Sequence, residues 1–251
     1  MLAEERFAMI LDLLAQKRSA TVLELCDALD ASESTIRRDL TQLDRQGLFK
    51  KAHGGHTLVG RTALADEPPM AAREEQSGEE KRLIARAAAA MITEKDFIFL
   101  DAGSTTLALA AALEGPALQA AYVTNGIAHA RMLVQKGCRT YLPGGQVRPI
   151  TEAITGPETL AALQHYNFTK AFMGANGVSP AEGFTTPDPE EASIKTAALQ
   201  RARERWFLVD NTKFDMVYSA VIGDIGCGAI LTNHCPDPRY AQLTFVKECS
   251  V

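Results

Sequence analysis

Two short stretches carry residue types whose spacing could do chemistry. In STIRRDLTQLDRQG, residues 34–47, Arg37 and Arg38 are adjacent fixed cations flanked by Ile36 and Leu40. In FIFLDAGSTT, residues 97–106, an apolar run ends in Asp101, Gly103, Ser104, Thr105 and Thr106. An arginine pair on a helix is a solvated face, a phosphate site, or a reader of nucleic acid. In the last case guanidinium donates two hydrogen bonds to guanine while Ser and Thr reach bases or phosphates. A glycine-containing turn that opens a helix presents unpaired N–H groups and hydroxyls, a ready seat for phosphate or another anion. Neither GxxxxGK nor GxGxxG occurs. The turn therefore suits a small phosphorylated or polyhydroxylated ligand better than a nucleotide.

The first stretch needs a helix to aim it. Phe7, Ile10, Leu11 and Leu14 recur at helical steps and predict one amphipathic helix. Thr21-Val22-Leu23-Glu24 is a capping box opening a second helix, continued by Leu25, Ala28 and Leu29 and stopping at Asp30-Ala31. Ser32 offers the N-cap of a third. On it Ile36, Leu40 and Leu43 form the buried stripe, so Ser34, Arg38, Thr41 and Arg45 point away, with Arg37 and Thr35 on opposite flanks. Gly47 reads as its C-cap. LFKKAHGGHTLV then predicts a hairpin carrying Lys50 and Lys51 and turning at Gly54-Gly55. Helix, capped helix, turn, polar helix and basic hairpin compose a winged helix-turn-helix, with wing lysines placed to neutralise phosphates. A solvated three-helix bundle is the plainer alternative.

SESTIRRDLTQLDRQGLFKKAHGG resembles the DNA-binding signature of DeoR-type bacterial repressors, with its TIRRDL-like recognition helix, glycine, basic strand and HGG turn. The resemblance implies DNA contacts from Ser34, Thr35, Arg37, Arg38, Thr41, Lys50, Lys51 and His53. Lys51 stands where many relatives have arginine, which keeps the charge and loses the bidentate fork.

Charge is divided along the chain. The whole has 251 residues and formal net charge −5, yet between Thr35 and Arg61 the cations Arg37, Arg38, Arg45, Lys50, Lys51 and Arg61 face only Asp39 and Asp44. A basic module on an acidic chain implies divided labour. Hydrophobic residues at 46% and charged residues at 23% are ordinary for a globular protein. No apolar run reaches the span length of about 18 residues. The start MLAEERFAMILDLLAQKRS lacks the pattern of a secretory signal, so the expected location is the cytoplasm. Cys26, Cys138, Cys227, Cys235 and Cys249 are scattered without a CxxC, against a disulfide framework. His234 beside Cys235, with Cys227 and Cys249, matches no usual zinc spacing, and no metal or cofactor is expected.

The second stretch belongs to a larger unit. GRTALADEPPMAAREEQ, 60–76, reads as a linker between a DNA-binding domain over 1–59 and an α/β domain over 77–251. Ser77-Gly78-Glu79-Glu80 reads as another capping box, opening an alanine-rich helix. Short apolar strands at 97–106, 121–126, 140–145, 170–177, 206–213 and 229–233 alternate with helical segments. That alternation predicts a mostly parallel sheet with covered faces. Polar residues gather at the strands' C-terminal ends, where open α/β sheets bind ligands. Besides the GSTT turn, the candidates are Asn125 for sugar hydroxyls, Gly144 and Gly145 for close backbone approach, Arg148 for phosphate, and Lys195, Asp210 and Lys213. Each has a structural alternative as a cap, a turn or an exposed helix residue.

DAGSTT, TN, PGG, GANG, GFTTPDPEEASIK and VDNTKF follow the order seen in the sugar-sensing domain of DeoR-type regulators, which resembles ribose-phosphate isomerases and binds phosphorylated sugars or related metabolites. The resemblance spans roughly residues 1 to 233. Ser104 replaces a common threonine, and Asn176 and Asn233 replace aspartates of the usual GADG and TD. It implies a repressor of carbohydrate genes, a homodimer or homotetramer on double-stranded DNA, released by a sugar-phosphate-like inducer, with no catalytic residues. The alternative is a sugar-phosphate isomerase-like enzyme in which Asp101, Asp210 and Lys213 supply acid–base groups.

Overall fold

The computed structural model describes residues 6, 7, 9, 10, 13, 21–45, 49–52, 55–58 and 70–249; for 23, 44, 45, 49–52, 55–58, 71, 74 and 75 it describes the backbone alone. The chain divides into two compact units, Met1–Ala63 and Leu64–Val251.

In the first unit the described positions between 6 and 13 are helical. Helix α1, Val22–Leu29, carries the expected capping box: the Thr21 hydroxyl accepts from Glu24 N–H at 3.2 Å and Glu24 Oε2 accepts from Thr21 N–H at 2.7 Å. It ends at Asp30, which adopts the left-handed conformation at φ 46°. Helix α2, Glu33–Arg45, follows. Ile36, Leu40 and Leu43 are buried against Ile10, Leu25 and Leu29, as their spacing predicted. Strands β1, Phe49–Ala52, and β2, Gly55–Leu58, pair antiparallel as the wing. Gly47 and His53 lie outside the described residues, as do Leu11 and Leu14.

The second unit begins its described part earlier than expected. The stretch read as a linker includes helix α3, Met70–Glu75, whose Met70 is buried and donates its N–H to Ile150 O at 3.2 Å. An apolar anchor and a long-range backbone bond make 70–75 part of this unit. Helix α4, Gly78–Ala89, follows without the capping box predicted for it. Ser77 takes a left-handed conformation at φ 54° and makes no cap hydrogen bond, while Arg82 engages Glu79. The sequence pattern was present, but the backbone turn that would aim the hydroxyl was not.

Seven parallel strands form the sheet. They are β3 (Phe97–Leu100), β4 (Ala121–Thr124), β5 (Arg139–Tyr141), β8 (Phe168–Gly174), β11 (Ala202–Leu208), β13 (Ala229–Thr232) and β14 (Val246–Glu248). Their order is β14-β13-β11-β8-β3-β4-β5. Alternation sends side chains to two cores. Phe99, Ala171, Phe207 and Ile230 face one, and Ile98, Leu100, Phe172, Leu208 and Leu231 face the other. The second core is closed by α4, α5 (Ser104–Ala112) and α6 (Ile127–Gln135), the first by α7 (Pro157–Leu163) and α8 (Pro189–Gln200). Two small antiparallel sheets were not foreseen: β6–β7 (Gln146–Val147 with Ile154–Thr155), and β12-β10-β9 (Ala220–Gly223, Gly183–Thr186, Gly177–Ser179). A last short helix, α9, spans Tyr240–Leu243.

The connection from β3 leads through α5 to β4 on one side, while β8 pairs with β3 on the other. The chain thus reverses its direction of travel across the sheet between β3 and β8. That switch point opens a crevice at the strands' C-terminal ends.

Candidate functional site

Helix α2 presents a sorted face. Ser34 and Arg38 are exposed, and Arg38 has no partner among the described residues. Arg37 is also exposed but is bound along its own helix, Nε to Glu33 Oε1 at 2.9 Å. Thr41 donates its hydroxyl back to Arg37 O at 2.7 Å. Thr35 joins the N-cap cluster, its Oγ1 2.8 Å from Ser32 Oγ, and Ser32 Oγ accepts from Thr35 N–H at 3.3 Å. Of the adjacent arginines, Arg38 is the one without a partner among the described residues. Gln42 is exposed one turn beyond it, and its amide could pair with adenine; the sequence reading passed over it. Asp39 is not part of the surface: it is 4% exposed and takes a bidentate ion pair from Arg6, Nη2 to Oδ1 at 3.0 Å. This pair ties the first helix to α2. Lys50 and Lys51 pair with Thr57 and His56 across the wing.

The crevice at the switch point is lined by Arg73 and Gln76, Lys81 of α4, Gly103 to Thr105, Gly174 to Asn176, Leu208, Asp210 and Lys213. Gly103 N-caps α5. Among the described residues, Ser104 and Thr105 make no side-chain hydrogen bond and Lys213 has no partner. First-turn N–H groups have no helical acceptor. Arg73, Lys81 and Lys213 bring three cationic side chains to the lining, and Asp210 is the carboxylate among its described residues. Such an arrangement favours an anion.

Several predicted residues brace this crevice, Asp101, Thr106 and Lys195 from behind its lining. Asp101 is 1% exposed, accepts from Gly174 N–H at 2.9 Å and is ion-paired to buried Lys195. That pair clamps β3, β8 and α8 beneath the floor. Thr106 faces inward: its Oγ1 accepts from Gly103 N–H at 2.9 Å and lies 2.5 Å from Asp101 O. Asp210 caps the turn Asn211–Lys213 by accepting from Thr212 N–H at 3.0 Å, so it holds Lys213 in place. Asn233 steadies the same turn, accepting from Asn211 N–H at 2.9 Å. Asn176 accepts from the Thr186 hydroxyl at 2.9 Å.

Asn125, Gly144, Gly145 and Arg148 lie outside this lining. Asn125 is buried, accepting from Ala102 N–H at 3.2 Å and donating to Ile154 O at 3.3 Å. Gly145 has φ +152°, and a Cβ there would sit 2.3 Å from Thr159 Oγ1. Its small size serves packing against α7. Gly144 O accepts from the Thr159 hydroxyl at 2.8 Å. Arg148 is neutralised by Asp188 at 2.7 Å and Glu191 at 3.2 Å, the N-cap and first turn of α8.

The sequence reading missed Arg73, Lys81 and His129. Lys81 is buried and donates to Arg73 O, a link that only the folded α3 creates. His129, in the first turn of α6, is fully buried with Nε2 2.9 Å from Gly103 O and 3.2 Å from Thr106 Oγ1. Burial pushes its pKa down to about 4; Gly103 O and Asp101 pull it up, and Lys195 and Arg73 push it further down. Among the described residues no group of three or more His, Cys, Asp or Glu side chains could hold a metal ion, and no helix is long and apolar enough to cross a membrane.

A winged helix-turn-helix with an exposed arginine on its second described helix, carried on one chain with an α/β unit whose crevice is lined by cationic side chains, defines a DNA-binding transcriptional regulator. The chain belongs to the DeoR family: the DeoR-like helix-turn-helix domain matches residues 6–62 and the DeoR C terminal sensor domain residues 76–232. It is 37% identical to the uncharacterized HTH-type transcriptional regulator FruR of Bacillus subtilis (strain 168), over 98% of both chains. It is 34% identical to the lactose phosphotransferase system repressor of Streptococcus mutans, over 84% of this chain and 83% of that one. A solved ribose 5-phosphate isomerase A from Neisseria gonorrhoeae superposes with TM-score 0.40 at 15% identity, covering 53% of this chain and 52% of that chain, too little to bear on chemistry.

Proposed function

We propose that this regulator represses a carbohydrate-metabolism operon and is released from its operator by a small phosphorylated sugar or sugar derivative held in the switch-point crevice. The observation that carries the reading is the unengaged first turn of α5. Ser104 and Thr105 face a crevice also lined by Lys81, Arg73 and Lys213. A phosphate there would accept from first-turn N–H groups and hydroxyls beside fixed cations, while the sugar hydroxyls find Asn176 and Asp210. The lactose phosphotransferase system repressor among the relatives supports a sugar-linked signal.

On the DNA side, Arg38 reads a base edge, Ser34 contacts a base or phosphate, and Lys50 and Lys51 neutralise phosphates. Arg37, Thr35 and Thr41 support the helix and approach the backbone. A homodimer or homotetramer in the cytoplasm pairs two recognition helices with two half-sites. Release requires the ligand to bind the DNA-incompetent arrangement more tightly, because equal affinity shifts nothing.

The test is a thermal-shift screen against sugar phosphates, free sugars, polyols and amino sugars, since a ligand of the native state raises apparent stability. Stabilisation confined to phosphorylated members is expected. Stabilisation by free sugars with none by their phosphates would contradict the reading.

A further inference from the structure

We infer that His129 is a positioning residue for the anion site: its Nε2–H holds the Gly103 carbonyl and thereby aims the Ser104 N–H into the crevice. This rests on the reading of the crevice as an anion site. A carbonyl oxygen only accepts, so the 2.9 Å contact to Gly103 O puts the imidazole proton on Nε2. The same carbonyl accepts from Leu107 N–H at 2.8 Å, the first bond of α5. Together with the Thr106 hydroxyl, whose Oγ1 lies 2.8 Å from the same oxygen, these donors fix it along the helix axis. The Gly103–Ser104 peptide is planar and trans, so the Ser104 N–H points the opposite way, out of the helix start.

Two features show that the ring is accommodated at a cost. With the proton on Nε2, Nδ1 is a bare acceptor, and it is buried without a hydrogen-bond partner among the described residues. Buried polar atoms are rarely left so, and each calls for a reason. Gly126, the N-cap of α6, has an ordinary φ of −98°. A Cβ there would lie 2.3 Å from His129 Nδ1. Glycine at 126 is therefore a matter of room for the imidazole, not of backbone conformation. The chain gives up a hydrogen bond and a side chain to keep one N–H under the anion turn.

The experiment titrates inorganic phosphate and a panel of hexose and pentose phosphates, by calorimetry, into the full chain and its His129→Leu and His129→Gln variants. His129→Leu is expected to melt no lower than the parent, because it removes the buried bare acceptor, yet to bind the anion at least tenfold more weakly. His129→Gln keeps an amide donor near the Nε2 position and should recover most of that loss. A purely structural role would move stability and affinity together. Parental affinity in His129→Leu, or no recovery in His129→Gln, would overturn the inference while leaving the anion site standing. Absence of binding by the parent would instead overturn the anion site, and the inference with it. Should His129→Leu not fold, Gly126→Ala displaces the ring from the other side and should weaken binding to the same degree. Unchanged affinity there overturns the inference.

Discussion

Acidification from about pH 6.5 to 4 should destabilise the α/β unit through His129. The imidazole is fully buried. Desolvation lowers its pKa from 6.5 to about 4, more than its hydrogen bond to Gly103 O and the charge of Asp101 restore. Below about pH 6.5 the unfolded chain takes up a proton that the folded chain refuses, so the unfolded state gains. Stability is full above that value, declines as pH falls, and levels off below about 4. At about 1.36 kcal/mol per pH unit, the gap amounts to about 3 kcal/mol. Urea unfolding measured at intervals from pH 7.5 to 4 on the parent and on His129→Leu isolates it, because every other titration is common to both. The parent should lose about 3 kcal/mol more than the variant across that window. Parallel stability curves would refute the assignment of a neutral, buried imidazole.

Two further outcomes follow from the geometry. Lys195→Met strands the buried Asp101 carboxylate and should cost about 3–5 kcal/mol of stability in urea unfolding; near-parental stability would mean that the carboxylate finds water or another partner. Arg38→Ala should weaken specific operator binding by about 1–3 kcal/mol in an anisotropy titration, with Arg37→Ala, which loses an arginine already engaged by Glu33, costing less; the reverse order would reassign the reading residue.

Patterns local to one element were legible in the sequence. Ile36, Leu40 and Leu43 declared the buried stripe of α2 by spacing alone, Thr21 and Glu24 declared its neighbour's start, and all six apolar runs became strands of the parallel sheet. The GSTT turn was legible because a strand end, a glycine and hydroxyls at a helix start have few other uses. Illegible were roles set by partners distant in sequence. Asp39 looked like an acid on a basic surface, yet Arg6, 33 positions away, draws it inside. Arg148 looked like a phosphate ligand until α8 brought Asp188 and Glu191 to it. Ser77 followed by Glu80 carried a capping pattern, which a left-handed backbone voided. Lys81 and His129 carried no signal at all, since an alanine-rich helix and a lone histidine say nothing of which turn they will sit beneath.

Under the proposed function, an anion at the start of α5 loosens the grip of α2 on DNA. This coupling is tested most directly by anisotropy of a labelled duplex, selected from a randomised pool by the protein itself, while hexose and pentose phosphates are titrated in. The parent should release the duplex with at least one of them, and Thr105→Val should bind the duplex normally but stay bound at every concentration. Release from Thr105→Val at parental concentrations would contradict the account.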